Sequence, residues 1–426
     1  MSESEQKNTS PTNDGADTGA QHADNSNAQQ ANTNAEQQNA QQHKVQINLD
    51  DLLHAVQAHG QKTVQEEDKL AREGVHDAEG KEYDDAILNS SAIEPTDDEG
   101  NPIPVTIPIV LAPGINVVYT TRLGGVSAEE WAHFNLGGKS GDDPEHVERN
   151  REALANELHV KLSLINQVHS GKSIDIDELY AENKPFGFDA SGSHNAKQAE
   201  AKRNGEPVVD DVESEDLDVQ VIEGDAQVTT KQGIAIGVFA ADCLPVLLAD
   251  PKAGVIAAAH CGRKGLQRNV IAATVDMMVK KGASKENIVA TLGPAICGDC
   301  YEVGDQIADE FDAQFPGTFT LTRFGGPGID INEAALMELK QAGVKEDHIF
   351  SSQPRVNAAT QYLDQDAELA ELCREDNEGD PALEERIKGI RHSMCTLENP
   401  LWFSHRRAQL AHKKHEGRML ALIVRQ

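Results

Sequence analysis

Positive charge is what this 426-residue sequence is shortest of: 38 Lys and Arg stand against 71 Asp and Glu, a formal net charge of −33. Neither nucleic-acid phosphates nor anionic membranes attract such a chain, so both partner classes are excluded. Long apolar runs are also missing, and none reaches the roughly 20 residues that span a bilayer as a helix. The N-terminal residues lack the basic and apolar regions of a secretory signal peptide. Cysteine is sparse, six in no dense framework, which suits a reducing cytoplasm rather than a disulfide scaffold. The expected setting is the cytosol.

The acidity is partly a property of one end. Residues 1–100 hold 21 acidic and 6 basic side chains, a net of −15. Residues 1 to about 43 are Gln, Asn, Ala, Ser, Thr and Asp with almost no apolar content, too little to offset chain entropy on folding. Over 46–73, Ile47, Leu52, Leu53, Val56, Val64 and Leu70 lie among charges and predict one or two short amphipathic helices. The expectation is a disordered acidic tail over 1–103 and one globular domain over 104–426.

Within 104–426 the pattern is mixed α/β. A strand is expected over 116–121, and a helix from Pro144, where a first-turn proline is tolerated, to about 158. Strands follow at 173–177, 233–239, 246–250, 255–259 and 288–292, with helices over 266–281 and 331–341 and a terminal strand ending near Val424. In the 266–281 helix Val270, Ile271, Val275 and Met278 share a face, and Gly282 ends it. Two stretches poor in apolar residues, 181–219 and 350–388, are expected to be insertions, since long structureless loops are uncommon inside a compact core.

Three residues in small or apolar surroundings stand out: His169, Cys243 and His260. Pro251-Lys-Ala-Gly254 has the residues of a tight turn. An antiparallel hairpin closed there sets position 245 opposite 260, making Cys243 a diagonal neighbour of His260, about 7–8 Å away at the backbone. His169 arrives from a separate element, just after the apolar 162–165. Two imidazoles and a thiolate form a zinc shell whose fourth position stays open, as in catalytic sites. A nucleophilic Cys–His dyad uses the same geometry, with the imidazole lowering the thiol pKa. The spacing does not separate these two chemistries, and a buried structural cysteine is the ordinary alternative to both.

The motifs in order are Thr120-Thr-Arg122-x-Gly-Gly125-Val-Ser127, Asn135-Leu-Gly137, Gly141-Asp-Asp-Pro144, Asn150-Arg151 and Gln167-Val-His169. They continue as Gly224-Asp-Ala226, Ala241-Asp-Cys243-x-Pro245, His260-x-Gly262, Gly293-Pro294, Cys300-Tyr-Glu-Val303, Cys395-Thr396 and Ser404-x-Arg406-Arg407. Over about 105–180 and 220–425 the chain resembles the bacterial laccase-domain family. That family is also called multicopper polyphenol oxidase-like and is now described as purine nucleoside phosphorylases. The resemblance implies one α/β domain with sheets packed between helical layers, and zinc held by His169, Cys243 and His260. It also implies phosphorolysis of adenosine, inosine and S-methyl-5′-thioadenosine, with adenosine deamination; copper-dependent phenol oxidation has been attributed to the family too. Where the family continues His-Ala-Gly-Trp-Arg-Gly, this chain has His260-Cys-Gly-Arg263-Lys264-Gly265, which bears on substrate preference.

Deamination asks for an activated water, which an open-site zinc can supply. Phosphorolysis asks for a phosphate cradle, and Arg122 beside Gly124-Gly125 is the first candidate, since a guanidinium matches phosphate bidentately. A structural salt bridge is the alternative for Arg122. Asn135 is a candidate for a ribose hydroxyl or a loop stabiliser. Asp242, by strand alternation, points away from Cys243 and is expected to be structural. So is Cys297-x-x-Cys300, because no second Cys-x-x-Cys exists to complete a zinc knuckle. His405-Arg406-Arg407 is expected at a salt-bridged strand edge or as an anion anchor. Copper would also accept a His₂Cys shell, but no His-x-His pair occurs in this core to build a multicopper cluster. A cysteine hydrolase acting on cell-wall peptides, with Cys243 and His260, is the third reading.

Overall fold

The computed structural model describes Thr96, residues 100–179 and residues 222–426. The expected tail helices over 46–73 and the expected insertion over 181–219 lie outside the described residues.

The described strands in chain order are β1 (Thr106–Ala112), β2 (Ile115–Thr120), β3 (Lys161–Ser163), β4 (Ser173–Asp175) and β5 (Ala226–Thr229). Then come β6 (Ile234–Ala240), β7 (Leu244–Asp250), β8 (Val255–Cys261) and β9 (Val289–Leu292). The last are β10 (Phe319–Leu321), β11 (Pro327–Ile329), β12 (Ile349–Phe350) and β13 (Met419–Arg425). They form a five-stranded sheet in the order β1-β2-β13-β6-β3 and a six-stranded sheet in the order β12-β9-β7-β8-β5-β4, with β10-β11 a separate ribbon. Both large sheets are mixed: β3–β6, β4–β5 and β9–β12 are parallel, and the remaining pairs antiparallel.

Side-chain alternation along the central strands sets the layering. On β7 and β8, Leu247, Ala249, Ile256 and Ala258 face the first sheet, where they meet Ile236, Val238, Ala421 and Ile423. Their neighbours Leu244, Val246, Leu248, Val255, Ala257 and Ala259 face the other way, onto Val270, Ile271, Val275, Ala335 and Leu339 of two helices. On the outer face of the first sheet, Leu420, Leu422 and Val424 of β13 pack with Leu154. The result is two sheets between helical layers, the fold class expected. Burial on both faces is why β7 and β8 read as unbroken apolar runs rather than alternating ones.

Local signals mostly act where the sequence places them. Helix Pro144–Glu157 begins behind Asp143, whose carboxylate accepts from the Glu145 amide at 2.9 Å, a cap worth about 1 kcal/mol. The helix expected over 266–281 is instead two pieces, Arg263–Gln267 and Val270–Lys280, parted at Asn269, which sits in the left-handed region at φ 56°. Asparagine tolerates that conformation better than most residues.

Residues 350–388, read from the sequence as an insertion low in order signals, are ordered. They carry helices Gln353–Thr360, Ala367–Glu375 and Leu383–Lys388, and Val356, Leu363, Leu369, Leu372 and Leu383 join the core against the first sheet. The acidity that suggested a solvated stretch is partly internal: Asp376 and Glu378 are buried in ion pairs with Arg122, Arg386, Arg407 and Lys413.

Candidate metal centre and its cleft

The β7–β8 hairpin turns at residues 251–254, and its register pairs Pro245 with His260, as the turn predicted. Cys243 therefore stands at the mouth of β7, diagonal to His260 near the end of β8. Asp242 before it is held at φ 97°, a left-handed conformation costing a non-glycine residue about 1–3 kcal/mol. Its carboxylate accepts from Thr396 Oγ1 at 2.6 Å, Ser404 Oγ at 2.7 Å and the Arg406 amide at 2.6 Å. Asp242 is thus structural, as expected, and its three bonds fix the corner from which Cys243 projects.

His169 sits on a tight loop at φ 56°. Asp225, just before β5, holds this loop: its carboxylate accepts from the His169 amide at 2.9 Å and from Ser170 Oγ at 2.7 Å. The same carboxylate accepts from His260 Nδ1 at 2.9 Å, and the Asp225 carbonyl accepts from the His260 amide at 2.7 Å. One fully buried aspartate therefore orients both histidines. With Nδ1 committed to Asp225, Nε2 of His260 is left as the ligand atom, the usual carboxylate–histidine support of a metal site. Asp225 is the main residue that reading the sequence for donors misses. Its only signal is the Gly224-Asp-Ala226 motif.

The donors converge. Cys243 Sγ lies 4.0 Å from His169 Nε2, the two imidazoles meet edge to face with centroids 4.9 Å apart, and the three ligand atoms lie within 4.8 Å of one another. Gly262 leaves the space open, because a Cβ there would stand 2.7 Å from Cys243 Sγ. Burial would push the Cys243 thiol up, but the charge of His260 and the hydrogen bond from His169 outweigh it and bring the pKa to about 6. Burial likewise disfavours a charged His260, yet the Cys243 thiolate and Asp225 raise it to about 9. The donors are brought together before any ion binds, and their soft and borderline character fits zinc or copper.

Around it opens a cleft of about 600 Å³, lined among others by Lys139, Phe239, Arg263, Lys264, Tyr301 and Arg406. Among the described residues no carboxylate pairs with Lys139, Arg263, Lys264 or Arg406, whereas His405 and Arg418 are tied to Glu416. The Arg406 guanidinium lies over the Tyr301 ring, 5.6 Å from its centroid.

Two expected contacts are elsewhere. Arg122 is 1% exposed and is paired with Asp376 at 3.2 Å and Glu378 at 3.5 Å; it lies outside the cleft lining, and the salt-bridge alternative describes it. Asn135 is fully buried, and its amide bonds Ser140 Oγ at 2.8 Å and Asp142 at 2.9 Å while its oxygen accepts from the Gly137 and Arg418 amides. It shapes the 137–140 loop that lines the cleft instead of reaching into it. Arg407 is buried against Glu378, while His405 and Arg406, at the start of the helix His405–Leu410 rather than on a strand edge, line the cleft.

The family model for multi-copper polyphenol oxidoreductase laccase matches residues 116–426. Purine nucleoside phosphorylase ORF3 of Streptomyces griseus is 38% identical over 233 residues, covering 54% of this chain and 80% of that protein. Adenosine deaminase RL5, from an unknown prokaryotic organism, is 32% identical over 250 residues, covering 56% and 83%. The crystal structure of YlmD from Geobacillus stearothermophilus matches in fold with a TM-score of 0.52 at 23% identity, covering 75% of this chain and 94% of that one.

Proposed function

This chain belongs to the multi-copper polyphenol oxidoreductase laccase family, and from that membership we propose that it is a zinc-dependent purine nucleoside phosphorylase with adenosine deaminase activity. Its substrates are phosphate and adenosine, inosine or S-methyl-5′-thioadenosine. The observation that carries this reading is a His₂Cys donor set in a cleft lined by cations that, among the described residues, have no carboxylate partner. Relatives named for both reactions support it.

In this reading His169, Cys243 and His260 would hold the ion, and Asp225 fixes the His260 imidazole and the loop that carries His169. A bound zinc would supply Lewis acidity there. Arg263, Lys264 and Arg406 take the phosphate in place of Arg122, their charge concentrating the anion beside the sugar. In phosphorolysis a phosphate oxygen bonds to C1′ as the C1′–N bond breaks, and the purine leaves with the bonding pair. Lys139, whose Nζ is bonded to Asn166 Oδ1, stands on the opposite loop and helps hold the nucleoside.

A second reading has one specific observation in its favour. The Cys243 thiol, lowered to about 6 beside His260, is also what a metal-free cysteine hydrolase requires. Chelation separates the two, because the hydrolase survives it. Cys243→Ala tests the metal reading directly: the variant should fold, bind no zinc at this site and release no purine. Purine release retained in that variant would sink the metal reading.

A further inference from the structure

A second group of donors lies away from the cleft. Cys297 and Cys300 come from the loop after β9, and Cys395 and Glu398 from a loop nearly a hundred residues later. Their ligand atoms all lie within 4.8 Å of one another. Cys297-x-x-Cys300 is half of a zinc-knuckle pattern, and the second half is Cys395-x-x-Glu398, at the same spacing with a carboxylate in the last place. We propose that Cys297, Cys300, Cys395 and Glu398 form a structural zinc site, distinct from the His169/Cys243/His260 centre.

The distances suit a tetrahedral ion. Zinc bonds of roughly 2.0–2.3 Å place neighbouring donors about 3.5–3.8 Å apart. Glu398 Oε1 is 3.4 Å from Cys300 Sγ and 3.7 Å from Cys297 Sγ. The first loop turns tightly between its two cysteines: the Cys300 and Tyr301 amides both bond back to the Cys297 carbonyl at 3.0 Å, and the Cys297 amide donates to Cys395 Sγ at 3.4 Å. The surroundings then orient the carboxylate. The Glu398 side chain is fully buried, its Oε1 is paired with Arg323, and its Oε2 accepts the Arg391 and His392 amides at 2.7 and 2.8 Å. Three thiolates and a carboxylate around a dication are anionic, and Arg323 offsets part of that charge. Entry is open, since Cys297, Cys395 and His392 line a cavity of about 470 Å³.

The position gives the site its use. The Ile296 amide donates to the Asp242 carbonyl at 3.0 Å, and Thr396 Oγ1 to the Asp242 carboxylate, so both ligand loops hang from the residue that aims Cys243. Tyr301, next to Cys300, stands in the cleft wall beneath Arg406. A zinc here clamps the two loops together and fixes that wall.

The test counts metal on the full chain, purified under reducing conditions with zinc and freed of excess ion. The wild type should hold about two zinc ions, Cys395→Ser about one, His260→Ala about one, and the double variant essentially none. A wild-type content near one that Cys395→Ser leaves unchanged would overturn the proposal, as would a Cys297–Cys300 disulfide in the isolated protein. Should Cys395→Ser fail to fold, cobalt-loaded His260→Ala still decides. Strong thiolate-to-cobalt absorption in the near ultraviolet is expected, and its absence overturns the site. Because His260→Ala and Cys395→Ser remove different ions, failure of the cleft reading and failure of this one are distinguishable.

Discussion

Asp225→Asn should loosen the cleft metal without touching a ligand. The substitution keeps shape and volume but replaces one oxygen by a donor amide. The aspartate accepts from four places: His260 Nδ1, the His169 and Val168 amides, and Ser170 through amide and hydroxyl. An asparagine serves one side of that set and faces the other with N–H against N–H. Burial alone would raise the Asp225 pKa, but His260 and Ser170 outweigh it and hold the carboxyl below its ordinary value, so the anion is the working form at neutral pH. Removing a supporting carboxylate of this kind typically costs 10–100-fold in metal affinity, equivalent to about 1.4–2.7 kcal/mol. Competition with a chromophoric chelator measures the zinc Kd, and circular dichroism checks the fold. A Kd within twofold of wild type in a folded variant would refute the claim that Asp225 positions both histidines.

Metal-free protein should be alkylated at Cys243 with a midpoint near pH 6, slow below it where the thiol is protonated and fast above it. Zinc should protect, and His260→Ala should move the midpoint upward; iodoacetamide labelling read by mass spectrometry checks both. Lys264→Met and Arg406→Met should each raise the KM for phosphate about tenfold, the loss of a charge-assisted hydrogen bond, with zinc content unchanged in steady-state and metal assays. Arg122→Met should instead destabilise the fold by roughly 1.5–3 kcal/mol, the loss of a charged hydrogen bond, because buried Asp376 keeps Arg386 and Glu378 keeps Arg407 and Lys413, and denaturant unfolding measures this. Burial would raise Glu378, yet Arg407, Arg122 and Lys413 outweigh it and hold the carboxyl far below its ordinary value of 4.5. Its contribution to stability is therefore present above about pH 4.5 and lost as pH falls towards the folded value. Acid unfolding of Glu378→Gln should be correspondingly less steep over that range.

The sequence carries the metal centre better than it carries the cleft. The hairpin register follows from a four-residue turn and two apolar runs, local signals that nothing distant opposes, so the pairing of Cys243 with His260 is legible from residues 243–260 alone. Arg122 illustrates the opposite case. Its partner Asp376 is 254 positions away, and a guanidinium beside two glycines reads equally well as an anion site until that carboxylate is placed. The same pairing misleads for 350–388, where acidic residues that count as solvated by composition are buried against arginines. Asp225 has no pattern of its own because most of its partners are backbone amides, which every sequence possesses. Glu398 escapes notice as the fourth member of a cysteine cluster because only topology brings its loop beside Cys297 and Cys300.

The central claim is that zinc held by His169, Cys243 and His260 serves phosphorolysis. The most direct measurement follows purine release from inosine against phosphate concentration, on one preparation assayed as purified, after chelation and after zinc is restored. The account predicts release that saturates with phosphate, yields ribose 1-phosphate, disappears on chelation and returns with zinc. Release that ignores phosphate, or that survives complete removal of the cleft metal, would contradict it.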